Sequence, residues 1–191
     1  MAVAPPVVSA AIIAASTFTG PAWFQMCAGI GIGVVAWSAN PANVILAGSV
    51  NGTLGSGIVN GKFILPPIPL PVVVALSGVG LVGASASQVA AAVGIGVGTA
   101  YSATGQYIGT SVGVGVGADV SKVIFANPAT LQPLLIGGMA SQGITGAAAI
   151  QLASGLAVGI AAMFLTGFGT GVAAGPTGPL PGTGVSKSSV I

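Results

Sequence analysis

The stretch GQYIGTSVGVGVG, Gly105 to Gly117, decides the fold, because it carries two periods at once. Glycines at 105, 109, 113 and 117 recur every four residues. On a helix they would lie along one face and let a second backbone approach closely, as small residues do where membrane helices pack. The even positions from Ile108 to Val116 are Ile, Thr, Val, Val and Val, while the odd ones are mostly glycine. Alternation of that kind marks a strand with one β-branched face and one smooth face. Glycine weakens both elements, by about 1 kcal/mol per residue in a helix interior, so energetics do not choose. The flanks do. SQVAAAV (residues 87–93) and ADVSKVIF (residues 118–125) are compatible with a helix, and Asp119 and Lys122 stand at a spacing that forms an ion pair on one helical face. The stretch is therefore predicted helical, with Gly105, Gly109, Gly113 and Gly117 as a close-packing face. A Gly/Val-rich β structure is the alternative.

Outside this stretch the chain is almost uncharged. Of 191 residues only Lys62, Asp119, Lys122 and Lys187 are ionised, which is 2% of the chain, with no Arg, Glu or His. Soluble domains carry about 25%. A monomer of this composition cannot cover its core with a hydrated surface, and large apolar patches mark contacts with lipid, other subunits or further copies. Three lysines at least 60 positions apart are too sparse for nucleic acid, which needs clustered cations. Disorder is excluded by an apolar content of 53%. Enzymatic chemistry lacks its groups, since there is no histidine, no carboxylate pair and no metal-ligand cluster. The glycine runs also lack the lysine and spacing of a phosphate loop. No catalytic residue, cofactor, metal or small-molecule substrate is therefore expected. Cys27 is the single cysteine and reads as a small buried apolar residue.

Proline and glycine divide the chain. Apolar blocks at Val7 to Thr17 and Ala22 to Trp37 are followed by AGSVNGTLGSGIVNG (residues 47–61), a loop or weak strands joined by turns. The Pro-rich linker 64–71 is extended. A short apolar segment, Val72 to Gly83, precedes the long small-residue-rich region. Leu134 to Ser154 then leads into Gly155 to Phe168, where Gly155 and Gly159 repeat the four-residue spacing. Thr19-Gly20, Gly29 to Gly33 and Ala39 to Ala42 recur in order at Thr104-Gly105, Gly113 to Gly117 and Ala126 to Ala129. These echoes suggest a duplicated unit of roughly 85 residues. The expected organisation is a first half over 1–83, a second over 84–172 and an extended Pro/Gly/Ser-rich tail over 173–191. The fold class expected is mainly α: Gly/Ala-rich apolar helices, closely packed and joined by Pro/Gly-rich extended loops. The N-terminal segment has no basic region and carries Pro5-Pro6 where a signal peptide would begin, so no cleaved signal is expected.

Two triplets, Asn40-Pro41-Ala42 and Asn127-Pro128-Ala129, resemble the paired signature of the aquaporin family. That resemblance would imply two half-helices meeting at mid-membrane, with Asn40 and Asn127 facing a pore. The rest of the chain departs from the family pattern: Thr130 follows where the family has an arginine, and the length is short for its spans. The plainer reading is that Asn caps a helix whose first turn begins with proline, so Asn40 and Asn127 are expected as helix caps.

Residues 144–168 form an uncharged run of 25 residues, and Trp23 and Trp37 flank an apolar block as interfacial anchors would. Those tryptophans are only about 21 Å apart on a helix, short of the roughly 30 Å hydrocarbon core. The leading expectation is a non-enzymatic, hydrophobic, oligomeric structural component buried in a multi-subunit assembly. A viral particle or tail, or an injection-type tube, is such an assembly, and one able to act on membranes. Its partners would be copies of itself, other subunits and a lipid bilayer. An integral membrane protein such as a small homo-oligomeric channel is the second expectation, and a self-assembling β-rich material the third.

Overall fold

The computed structural model describes residues 5–39, 45–53, 55–63, 70–113, 116–124, 127–165, 168–174 and 182–190. Over these residues run α1 (Pro5–Ala14), α2 (Pro21–Ala39), β1 (Ile45–Thr53), β2 (Gly55–Phe63), α3 (Leu70–Gly78) and α4 (Ala84–Thr104). They are followed by β3 (Gln106–Gly113), β4 (Val116–Ile124), α5 (Pro128–Ser141), α6 (Ala147–Leu165), β5 (Phe168–Ala174) and β6 (Gly182–Val190). The chain is mainly helical, as expected. Its element order is a pair of helices followed by a pair of strands, three times over.

The repeat has a period of 63 residues, not 85, and is threefold rather than twofold. Gly20, Gly83 and Gly146 open the three long helices, all at positive φ (108°, 100° and 85°). Gln25, Gln88 and Gln151 follow at the same interval, and so do Gly33, Gly96 and Gly159. The 85-residue echo matched Gly29 to Gly33, which lie in α2, with a run whose ends, Gly113 and Gly117, lie on β3 and β4. That match reflects a shared glycine-rich alphabet. Of the tail, residues 182–190 are extended as β6.

In the decisive stretch the described residues after Gly105, 106–113 and 116–117, are strand, which corrects the helical reading. Helix α4 ends at Thr104, and Gly105 is its C-cap at φ −72° and ψ 126°, its N–H donating to the Tyr101 carbonyl at 2.9 Å. Gly109 and Gly113 lie on β3 and Gly117 on β4. All six strands pair antiparallel in chain order, and β6 returns to β1, closing a barrel. Tyr107 is buried and its neighbours Gln106 and Ile108 are exposed, which identifies the inner and outer rows of β3. Following the register around the barrel, all twelve strand glycines fall in the inner row: 48, 52, 55, 57, 61, 109, 113, 117, 169, 171, 182 and 184. The physical reason is width. Barrel diameter grows with strand number, and even eight strands leave room only for packed side chains. Six strands need a slim inner row, and glycine fills about half of its positions, Gly109, Gly113 and Gly117 among them.

Above the barrel the six helices form a ring in which each packs on its neighbours in chain order and α6 closes on α1. No repeat could bury its apolar face alone; two others in the same chain cover it. Core positions recur at the repeat interval: Cys27, Ala90 and Ala153, then Ile30, Val93 and Leu156, then Val34, Val97 and Ile160 are all buried. The ring interior is thus filled by side chains.

Candidate functional site

The seams between repeats are built on glycine. A Cβ on Gly33 would lie 2.5 Å from the Cα of Val72, one on Gly96 3.2 Å from the Cα of Leu135, and one on Gly159 2.9 Å from the Cα of Val8. Each long helix therefore presses its glycine onto the short helix of the next repeat, and the third seam closes the circle. Gly155 makes the same approach to the backbone of Ile12. Gly155 and Gly159 are thus packed against α1, whereas Gly105, Gly109, Gly113 and Gly117 belong to a helix end and two strands.

At the end of the ring away from the barrel, the helix–helix turns satisfy their own backbone groups. Gly80 and Gly143, at φ 85° and 74°, donate to the carbonyls of Ser77 and Ala140, while Leu81 and Ile144 donate to those of Leu76 and Met139. This 5→2 and 6→1 pattern is a Schellman stop. In the first repeat Thr17 stands at the equivalent position, and a side chain takes over. Gln151 Oε1 accepts from the Thr17 N–H at 3.1 Å, and Gln151 Nε2 donates to Thr17 Oγ1 at 3.1 Å. Gln88 Nε2 donates to the Gln142 carbonyl in the same way. Each of these glutamines reaches into the turn of the following repeat. A cavity of about 440 Å³ beside these turns is lined by Phe18, Thr19, Ala22, Trp23, Met26 and Leu81, with Ala148 completing the wall from α6, so its lining carries no ionisable group.

At the barrel end of the ring, Ser38, Tyr101 and Phe164, one from each repeat, meet. Tyr101 stacks on Trp37 with ring centroids 5.3 Å apart and meets Phe164 edge-on at 5.6 Å. Ser38 Oγ donates to the Val34 carbonyl at 2.8 Å, so the Tyr101 hydroxyl, 2.6 Å away, is the donor to Ser38 Oγ. Trp37 is therefore a core residue and not the interfacial anchor its position suggested.

Charge is partitioned between the two halves. None of the six described helices contains an ionised residue, whereas Lys62 lies on β2, Asp119 and Lys122 on β4, and Lys187 on β6. The ion pair expected of Asp119 and Lys122 required a helix; on β4 they occupy opposite rows. Apart from the exposed Gln25, the outer face of α6, α1 and α2 is apolar: Ile150, Val158 and Leu165, then Val7, then Phe24 and Ile32 are exposed. Helices α2 and α6 are long and apolar enough to cross a membrane and about half buried in the ring. Asn127 caps α5, its Oδ1 accepting from the Ala129 N–H at 2.6 Å with Pro128 at the first helical position. Asn40 lies outside the described residues. Sequence reasoning missed Gln88 and Gln151, whose signal was their shared 63-residue interval, and it missed Lys62 and Lys187, which stand out only once the barrel is closed. No family model and no curated protein matches the sequence, and no solved structure matches the fold.

Proposed function

We propose that this is a non-enzymatic structural protein that seats its helical ring in a lipid bilayer and holds its barrel in the adjoining water. One observation carries the reading: every ionised side chain is on the barrel strands and none is on the helices. A charge at the bilayer centre is costly, so a membrane-seated segment excludes it. Two further features agree. The long helices, of 19, 21 and 19 residues, span about 28–32 Å at 1.5 Å per residue, close to the roughly 30 Å hydrocarbon core. The far-end turns satisfy backbone groups through Schellman bonds and glutamines, which matters most where no water can do so. The packed core argues against conduction through the ring itself.

A second reading, in which subunits of a larger particle cover the ring, is favoured by the outer face of α4. There Ser85, Ser87, Gln88, Thr99 and Ser102 are exposed, a surface better suited to a protein neighbour than to acyl chains. The two combine in a particle component that is released into a membrane. The test is expression of the full chain without partners, followed by alkaline carbonate extraction. The chain is expected to stay with the bilayer and to leave only with detergent. Recovery as a monodisperse species in detergent-free buffer would overturn the bilayer reading, and aggregation relieved only by partner subunits would replace it with the second.

A further inference from the structure

The three lysines are not scattered. Each repeat contributes one, always on the second strand of its pair: Lys62 on β2, Lys122 on β4 and Lys187 on β6. They lie one, two and three residues before the ends of those strands at Phe63, Ile124 and Val190. Those ends adjoin the helical ring. Strands β2 and β4 run on towards α3 and α5, while the end of β6 pairs with Ile45 at the start of β1, which follows α2. At about 3.3 Å per residue, all three lysines fall within roughly 10 Å of the helix–barrel boundary.

The register also sets their row. Lys62 is exposed and pairs with Gln106, while Lys122 pairs with the exposed Ile108. Lys187 pairs with Val172 on one side and Ala47 on the other, and Ala47 in turn pairs with Lys62. All three lysines are in the outer row, and Asp119, the one acid of the chain, is in the inner row. The result is a cationic belt around the outside of the barrel, just below a helical ring without charge.

We infer that Lys62, Lys122 and Lys187 form a belt for anionic lipid headgroups at the bilayer surface. The inference rests on the bilayer reading proposed above and adds lipid class and depth to it. The occupant follows from position and charge. A lysine at the edge of the hydrocarbon can lay its methylenes along apolar surface and place its ammonium among headgroup phosphates. Lipids with net negative charge then gain over zwitterionic ones. Arranged around the barrel, the three lysines fix how deep the ring sits and which side the barrel stays on.

The experiment compares the full chain, delivered from detergent, on vesicles of phosphatidylcholine alone and vesicles with phosphatidylglycerol added. A lysine near an anionic surface is expected to favour the charged vesicles by about fivefold, and three together by roughly a hundredfold. The preference should fade at high salt. The triple variant Lys62→Gln, Lys122→Gln, Lys187→Gln should still enter phosphatidylcholine but lose the preference, and the triple Lys→Arg variant should keep it. Equal partitioning of the wild-type chain between the two vesicles, or an undiminished preference in the Gln variant, would overturn the belt. Loss of binding on adding inorganic phosphate at matched ionic strength would also overturn it, in favour of a free-phosphate site. Failure to enter phosphatidylcholine at all would sink the bilayer reading instead, so the two failures are distinct.

Discussion

In α5 the space beside Gly137 is open, whereas a Cβ on Gly138 would meet the backbone of Gly96 and, at 3.1 Å, the carbonyl of Ala92. Two adjacent residues of one type therefore make opposite predictions. Gly137→Ala removes backbone freedom from the unfolded chain and meets nothing, so it is expected to stabilise by about 0.5–1 kcal/mol. Gly138→Ala forces α4 and α5 apart and is expected to cost about 1–3 kcal/mol. Thermal unfolding of both variants in one detergent checks this, and a shift of the same sign in both would contradict the seam. The sequence made glycine packing legible at Gly155 and Gly159, where four-residue spacing on an apolar helix has one meaning. It could not rank neighbours such as Gly137 and Gly138, because only the partner helix distinguishes them. At Gly109, Gly113 and Gly117 the same spacing misled, since residues four apart share a face on a strand as well as on a helix.

At the scale of single elements, helix starts were legible and the choice of strand was not. Asn127-Pro128 announces α5 through chemistry local to a few residues. The strands of residues 106–124 depend on partners far away: β3 pairs with β2 some fifty residues earlier, and β1 pairs with β6 near the other end of the chain. No local window contains the barrel closure that makes inner-row glycine favourable. The turns at the far end show how one structural need is met in two ways. Gly143 holds a left-handed conformation at φ 74°, which an alanine adopts at a cost of roughly 1–2 kcal/mol. In the first repeat Gln151 instead holds the Thr17 amide and hydroxyl. Gly143→Ala is expected to destabilise the whole ring by that amount. Gln151→Leu should act locally, raising the exchange rate of the Thr17 amide severalfold while leaving the Gly143 turn protected. Hydrogen exchange read residue by residue separates these outcomes. Equal deprotection of both turns by Gln151→Leu would show that the glutamine is not specific to the first repeat.

For the molecule as a whole, the near-absence of charge indicated that each apolar face must be covered, and copies of the chain were expected to cover it. In the structure much of that cover comes from within, because three units of 63 residues behave as three subunits of a ring. Side-chain identity hid this. At the three equivalent positions where the aromatic cluster forms, the chain carries Ser38, Tyr101 and Phe164, which share burial but little chemistry. What the units share is geometry, visible in sequence as Gly20, Gly83 and Gly146, as the glutamines five residues after each, and as Gly33, Gly96 and Gly159. Equivalence of the units has a consequence for chain order. Six residues (64–69) join β2 to α3, and three (125–127) join β4 to α5. Joining Ile191 directly to Met1 would leave five residues between Val190 and Pro5, a connection of the same class. A circular permutant with that bond made, and the chain reopened between Leu65 and Pro66, preserves every seam and every strand pair. It is expected to show the same far-UV circular dichroism and a melting temperature within a few degrees of the original in the same detergent. A permutant that fails to fold while the singly substituted chains fold would mean that the first unit has a role in assembly that the others lack, and the threefold equivalence would then hold for the final shape but not for how it is reached.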